Sequence, residues 1–133
     1  MAHRKTRILL GKLGEGYRDA LFNLAEAFRE AGFEVVFTDL QDPEAIVRSA
    51  IQESVDHIGI TILPGAGIQA FSEIRDILKR EDVGYITITA GGFLDEKDVP
   101  ALKDMGVMEF FPRGTSWETL IEWSRKHIEP KDD

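Results

Sequence analysis

Five short runs of β-branched and apolar residues punctuate the chain, and their spacing restricts the fold more than any other feature. They are Arg7-Ile8-Leu9-Leu10-Gly11, Glu34-Val35-Val36-Phe37-Thr38, His57-Ile58-Gly59-Ile60-Thr61-Ile62, Tyr85-Ile86-Thr87-Ile88-Thr89 and the weaker Met108-Glu109-Phe110-Phe111. They begin about 25 residues apart, which is the period of a strand followed by a helix. The first, third and fourth are almost continuous in apolar or β-branched residues, as expected of strands covered on both faces of a parallel sheet.

Helical patterns fill the gaps. Leu21, Leu24, Ala25 and Phe28 fall at i, i+3, i+4 and i+7, one face of a helix, with Gly32 at the position of a C-terminal cap. Asp42-Pro43 reads as an N-cap followed by proline in the first turn, ahead of Ile46, Val47, Ala50 and Ile51. A third helix carries Ile68, Phe71, Ile74, Ile77 and Leu78. A short fourth helix starts near Asp98, with Pro100 in its first turn, Gly106 after its end and the acidic Asp95-Glu96-Lys97-Asp98 stretch favouring its N-terminus. Thr115-Ser116-Trp117-Glu118 carries the pattern of a capping box for the fifth. Five βα units predict a flavodoxin-like (Rossmann-like) α/β fold: a doubly wound five-stranded parallel sheet of order 2-1-3-4-5, with helices on both faces.

The length of 133 residues suits a single domain over 1–133, with 1–5 and 129–133 expected as loose tails. It is too short to include a substrate-binding (β/α)8 barrel, which takes about 250 residues. With no cysteine, disulfides, thiolate nucleophiles and cysteine-bound metal centres are excluded, and the three histidines, His3, His57 and His127, are too scattered for a metal cluster. The net charge of −8 argues against nucleic acid as a partner. No apolar run approaches a membrane span and no signal peptide is visible, so no membrane association and a cytoplasmic location are expected.

A sheet of this order binds ligands beyond the carboxyl ends of its strands, at the crevice between strands one and three. Eight of the twelve glycines gather at those ends: Gly11, Gly14, Gly16, Gly65, Gly67, Gly91, Gly92 and Gly114. They are consistent either with a ligand held close to backbone or with the ordinary needs of tight turns. Gly11-x-x-Gly14-x-Gly16 matches neither the dinucleotide fingerprint nor a P-loop. The end of strand three, Ile60-Thr61-Ile62-Leu63, lacks the aspartate of a phosphoacceptor domain.

From Arg7 to about Ile128 the chain resembles the cobalamin-binding domain of methylmalonyl-CoA mutase and related acyl-CoA mutases, especially the small subunits that exist as separate chains. The resemblance rests on Arg7-Ile8-Leu9-Leu10-Gly11-Lys12-Leu13-Gly14, Ala27-Phe28, Ala31-Gly32-Phe33-Glu34-Val35, Thr61-Ile62-Leu63 in place of Ser-x-Leu, Ala90-Gly91-Gly92, and Pro112-Arg113-Gly114-Thr115 in place of Gly-Pro-Gly-Thr. It implies cobalamin, as adenosylcobalamin, for the cofactor. Its contacts would be Glu15, Gly16, Tyr17, Arg18, Asp19, Thr61, Leu63, Gly65, Gly91, Gly92, Gly114 and Thr115. It also implies a larger mutase subunit with a substrate-binding barrel for the partner, and allows a homodimer. No catalytic residue is implied on this chain, which would serve an isomerase by positioning the cofactor rather than by catalysis of its own.

The departure lies in the first loop. The family carries Asp-x-His-x-x-Gly there, and its histidine ligates cobalt after the cofactor's own benzimidazole has left. Here the loop is one residue shorter and reads Glu15-Gly16-Tyr17-Arg18-Asp19-Ala20, so Tyr17 stands at the cobalt-ligand position. A phenol with pKa near about 10 is a poor ligand at neutral pH unless the metal lowers that value. Three outcomes are open: cobalamin bound with its base attached, cobalamin bound base-off with at most a weak Tyr17 contact, or a degenerate interaction subunit that no longer binds cobalamin. Glu15, Arg18 and Asp19 also fit a solvated charged turn. Phe93 and Leu94 are expected near the pocket, Trp117 and Trp123 in packing or a subunit interface, and His57 in a structural role.

Overall fold

The computed structural model describes residues 4–130. Among them, strands β1 (Arg7–Leu13), β2 (Glu34–Phe37), β3 (His57–Ile62), β4 (Thr87–Gly92) and β5 (Glu109–Pro112) alternate with helices α1 (Arg18–Glu30), α2 (Pro43–Gln52), α3 (Gln69–Arg80), α4 (Val99–Asp104) and α5 (Trp117–His127). The sheet is parallel throughout and has the order β2-β1-β3-β4-β5. The flavodoxin-like expectation therefore holds in strand number, order and direction.

Two boundaries move. The fourth strand starts at Thr87, not Tyr85, and continues through Gly91 and Gly92. Those glycines stay in the ladder because they pair with Thr61 and Ile62 on one side and with Phe111 and Pro112 on the other. Tyr85 instead lies in the preceding turn, 55% exposed. The last helix is capped by Ser116 rather than Thr115: Ser116 Oγ accepts from the Thr119 amide (3.1 Å), while the Thr115 hydroxyl donates to the Pro112 carbonyl (2.6 Å). Asp42 caps α2 as expected, its carboxylate accepting from the Ala45 amide. The tail expectation for 1–3 and 131–133 falls outside the described residues. Arg4, also placed in that tail, is tied down: its guanidinium meets both oxygens of buried Asp56, which also accepts from the Arg7 amide.

Strand side chains alternate between faces, and here the two faces differ in kind. Leu9, Leu13, Ile58, Ile60, Ile62, Ile88 and Ala90 point to the α2/α3/α4 side, where Ile46, Val47, Phe71, Ile74 and Leu102 complete a dry core. The opposite face presents Ile8 and Leu10 at β1, against Ala25 and Phe28 of α1 and Ile128 after α5. Between these and the β5 edge, β3 and β4 offer that face His57, Gly59, Thr61, Thr89 and Gly91, all of which border a cavity. Helices seated over glycine and threonine find too little side-chain volume to pack against, and the space under α1 and α5 stays open.

Phe71 is fully buried in the dry core. Phe71→Ala should cost about 3–5 kcal/mol of stability, measured as a shift in urea midpoint at constant m-value.

Candidate functional site

The cavity under α1 and α5 has a volume of about 290 Å³ and runs from the carboxyl rim of the sheet back toward its amino end. Its floor is His57, Gly59, Thr61, Thr89 and Gly91, and its walls include Leu21, Leu24 and Phe28 of α1 with Leu120 and Ser124 of α5. Ile8, Phe28 and Ile128 line the deep end; Tyr17, Phe93, Arg113 and Trp117 stand around the mouth. Thr61 and His57 are four residues apart on one strand, so the floor extends about 13 Å at the rise of a β-strand. Two glycines lining the cavity stand close to neighbours, and at Gly92 the approach requires glycine. A Cβ on Gly59 would come within 3.1 Å of Leu10 Cδ2. Gly92 has φ +111° and its Cβ would run into the Ile62 carbonyl, so the β4 exit accepts no side chain there.

The loop between β1 and α1 is held by polar contacts from behind. Lys12 is 7% exposed, and its ammonium donates to the Gly16 carbonyl (3.1 Å). Gln41, from the β2–α2 connection, clasps Gly14 with both ends of its amide: Oε1 accepts from the Gly14 N–H (2.8 Å) and Nε2 donates to the Gly14 carbonyl (2.9 Å). The same Nε2 reaches Glu15 Oε2 at 3.3 Å. Tyr17 follows in the left-handed region, φ 58° and ψ 24°, at the entry to α1. That conformation costs a non-glycine residue roughly 1 kcal/mol. Its ring is half exposed and tilts against Phe93, centroids 5.5 Å apart. The Arg113 guanidinium lies 4.6 Å over the same Phe93 ring. A cation, an aromatic face and a phenol thus form one continuous rim on the side of the mouth formed by the β4 and β5 exits.

The residues singled out from sequence divide into three groups. Tyr17, Thr61, Leu63, Gly91, Gly92, Gly114 and Thr115 line the cavity. Glu15 and Gly65 line a separate shallow dish with Gln41, Pro64 and Gly67, and Gly16 lies in the loop between the two, facing Lys12. Arg18 turns away: it pairs with Asp39 (2.6 Å) and stacks over Phe22 and Phe37. Asp19 is exposed on the first turn of α1 and lines neither space.

Three further residues read as structural, as packing or as near the pocket take these places, and only Leu94 departs from its expectation. Trp117 is 48% exposed at the cavity mouth, which sets it outside the core and is compatible with the expected subunit interface. His57 lines the cavity floor, 1% exposed, with Nδ1 2.6 Å from the Thr87 hydroxyl and Nε2 2.7 Å from the Thr89 hydroxyl. Leu94 packs into the dry core, so only Phe93 of that pair faces the mouth. Sequence reasoning also passed over Lys12, Gln41, Gly59 and Thr89. For the last two the signal was present as alternation, His-x-Gly-x-Thr in β3 and Thr-x-Thr-x-Gly in β4.

Gln41→Ala should free the Gly14 amide and the loop that carries Glu15 to Tyr17. Native-state hydrogen exchange at Gly14 should quicken, with a loss of about 1 kcal/mol in stability for the clasp. Unchanged protection at Gly14 would mean that Gln41 does not hold the loop.

A family model described as a B12 binding domain matches residues 12–120. The 2-hydroxyisobutanoyl-CoA mutase small subunit of Aquincola tertiaricarbonis is 33% identical over 124 residues, covering 92% of this chain and 91% of that one. The pivalyl-CoA mutase small subunit of Xanthobacter autotrophicus is 30% identical over 121 residues, covering 90% of this chain and 81% of that one. In fold, the chain is similar to a crystal structure of a cobalamin-binding protein from Desulfitobacterium hafniense, with TM-score 0.72 and 17% identity over 92% of this chain and 58% of that one. Among the described residues no helix is long and apolar enough to cross a membrane. A matched model spanning most of the chain, together with small subunits aligned over most of their length, shows that the chain belongs to the B12-binding domain family, whose cofactor is cobalamin.

Proposed function

We propose that this chain is the cobalamin-binding small subunit of an acyl-CoA mutase and that it takes the cofactor's nucleotide tail into the cavity between α1 and α5. The observation that carries the proposal is the cavity itself. At about 290 Å³ it lies just below the range of drug-sized ligand sites, about 300 to 1,000 Å³, as suits a smaller group. A base and its ribose suit that space; a corrin macrocycle does not, and would have to lie outside, across the rim. The residues fit the group on chemistry as well as size. A flat heterocyclic base is matched by a smooth floor of Gly59 and Gly91 and by apolar walls from Leu21, Leu24 and Leu120, and Thr61 supplies a hydroxyl on the floor nearer the rim.

Each part of the site then has a role. Gly59, Thr61, Gly91 and Gly92 form the bed of the tail. Gly114 and Thr115, at the turn into α5, and Leu63, beyond β3, border its entrance. Tyr17, Phe93, Arg113 and Trp117 offer the flat, partly apolar rim on which the ring system would rest. Lys12 and Gln41 hold the loop that presents Tyr17. Bound adenosylcobalamin supplies the radical for rearrangement of the acyl-CoA carbon skeleton. This chain's work is to bind and orient; the larger subunit, with its barrel, holds the acyl-CoA. Such a pair would work in the cytoplasm.

Among the described residues, the cobalt-facing position favours base-off binding without a nitrogen ligand from the protein. Tyr17 is turned onto Phe93. His57 is bonded to Thr87 and Thr89 on the cavity floor, and His127 Nδ1 is bonded to the Trp123 carbonyl (2.8 Å).

Titration of the full chain with hydroxocobalamin, followed by visible spectroscopy and co-elution, should give a dissociation constant of about 1 μM or lower. Leu24→Trp, which fills the cavity from α1, should weaken binding at least about tenfold while circular dichroism stays native. Tyr17→His should move the visible spectrum toward a nitrogen-ligated form. A complex with a mutase large subunit that forms and stays colourless would overturn the cofactor role and leave a degenerate interaction subunit.

A further inference from the structure

The cavity's deep end has a chemistry that its walls do not. Ile8, Phe28 and Ile128 surround it, yet the floor there is His57, whose ring reaches along the sheet to Thr89, level with Gly59 on the neighbouring strand. His57 is 1% exposed and Thr89 8% exposed. Placing an imidazole and a hydroxyl among aliphatic groups has a desolvation cost unless their hydrogen bonds are made. The ring nitrogens of His57 meet two hydroxyls: Nδ1 that of Thr87 at 2.6 Å and Nε2 that of Thr89 at 2.7 Å.

Counting hydrogens shows that this cluster keeps capacity in reserve. A neutral imidazole brings one N–H and one acceptor nitrogen, and each threonine brings one O–H with two lone pairs. These two bonds use two of the three hydrogens, so one hydroxyl hydrogen lies beyond them. In the Nε2–H tautomer Thr89 accepts from the ring and its own hydrogen can turn into the cavity. In the Nδ1–H tautomer Thr89 donates to Nε2 and keeps a lone pair for the cavity. A change of imidazole tautomer and hydroxyl rotation therefore lets Thr89 Oγ1 meet either a donor or an acceptor. Thr87 does not line the cavity, so its hydroxyl serves to hold the ring.

We infer that His57 and Thr89 are specificity-determining residues that read the far edge of the tail's base, and that they favour a purine-type base over dimethylbenzimidazole. The inference rests on the tail-in mode proposed above. Dimethylbenzimidazole ends in two methyl groups. Set against this floor, they would leave the Thr89 hydroxyl with its bond to His57 but cover its remaining capacity without a second bond, which a polar base edge would supply. Adenine, the base of a naturally occurring class of corrinoids, carries an exocyclic amine beside a ring nitrogen. It offers both a donor and an acceptor to a hydroxyl that can serve either.

The test compares cobalamin with the adenine-tailed corrinoid on the full chain, by titration followed in the visible spectrum. The wild-type chain should bind the adenine-tailed form about tenfold more tightly, the scale of one buried hydrogen bond. Thr89→Val should bring the two affinities within about twofold of each other, and Thr89→Ser, which keeps the hydroxyl, should retain the preference. Because the preference is a ratio measured on one variant, any loss of stability common to both titrations cancels. Binding of both corrinoids with equal affinity, tighter binding of cobalamin, or an unchanged preference in Thr89→Val would overturn the inference and leave the cobalamin-subunit proposal intact. Binding of neither corrinoid to the wild-type chain would overturn both.

Discussion

The constraint on which the rest depends is the two-residue period of β3. In His57-Ile58-Gly59-Ile60-Thr61-Ile62, every second side chain is isoleucine and the others are imidazole, hydrogen and hydroxyl. The pleat sends the isoleucines to one face, where α2 and α3 close over them, and the small or polar set to the other. β4 repeats the pattern with Ile88 and Ala90 against Thr89 and Gly91. A one-residue slip in register would exchange the two sets, filling the cavity with isoleucine and burying His57 in the dry core. One alternation thus sets where the domain is stable and where it can receive a ligand.

The two halves of the molecule divide their labour accordingly. The α2/α3/α4 side carries the continuous core of Ile46, Val47, Ile58, Ile62, Phe71 and Ile74. The α1/α5 side has a smaller cluster around Ile8, Leu10, Ala25 and Phe28, and gives up packing over β3 and β4 for open space. Binding a ligand that completes this half would stabilise the native state by mass action, because the unfolded chain has no such bed. The loop with Tyr17 does not depend on the ligand for its position. It is already clasped by Gln41 and Lys12, so binding need not pay for ordering it.

Much of the fold was legible in the sequence because several local signals agreed. The five apolar runs, Asp42-Pro43 at α2 and Gly32 after α1 each point to the same doubly wound sheet. The β4 boundary was less legible. Tyr85 and Ile86 have high strand propensity, whereas Gly91 and Gly92 have little, and it is pairing with β3 and β5 that draws the glycines into the sheet. The rim of the site was legible through its glycines, while the depth of the cavity was not. β3 counted as a uniform apolar strand as long as His57, Gly59 and Thr61 were not separated from their isoleucine neighbours. Arg18 and Asp19 were assigned to the site by position in a family motif. In three dimensions Asp39, Phe22 and Phe37 engage Arg18 instead, an arrangement set by residues distant in sequence.

The central claim is that the α1/α5 cavity takes the nucleotide tail, so that the cofactor's own base leaves the metal and no protein nitrogen replaces it. The most direct measurement is the electron paramagnetic resonance spectrum of cob(II)alamin bound to the full chain. Tail-in binding gives a spectrum without nitrogen superhyperfine splitting, as for cobalt with no axial nitrogen. A bound complex that retains the splitting of an axial nitrogen would contradict it, because the base would then still be on cobalt or a histidine of the chain would have taken its place.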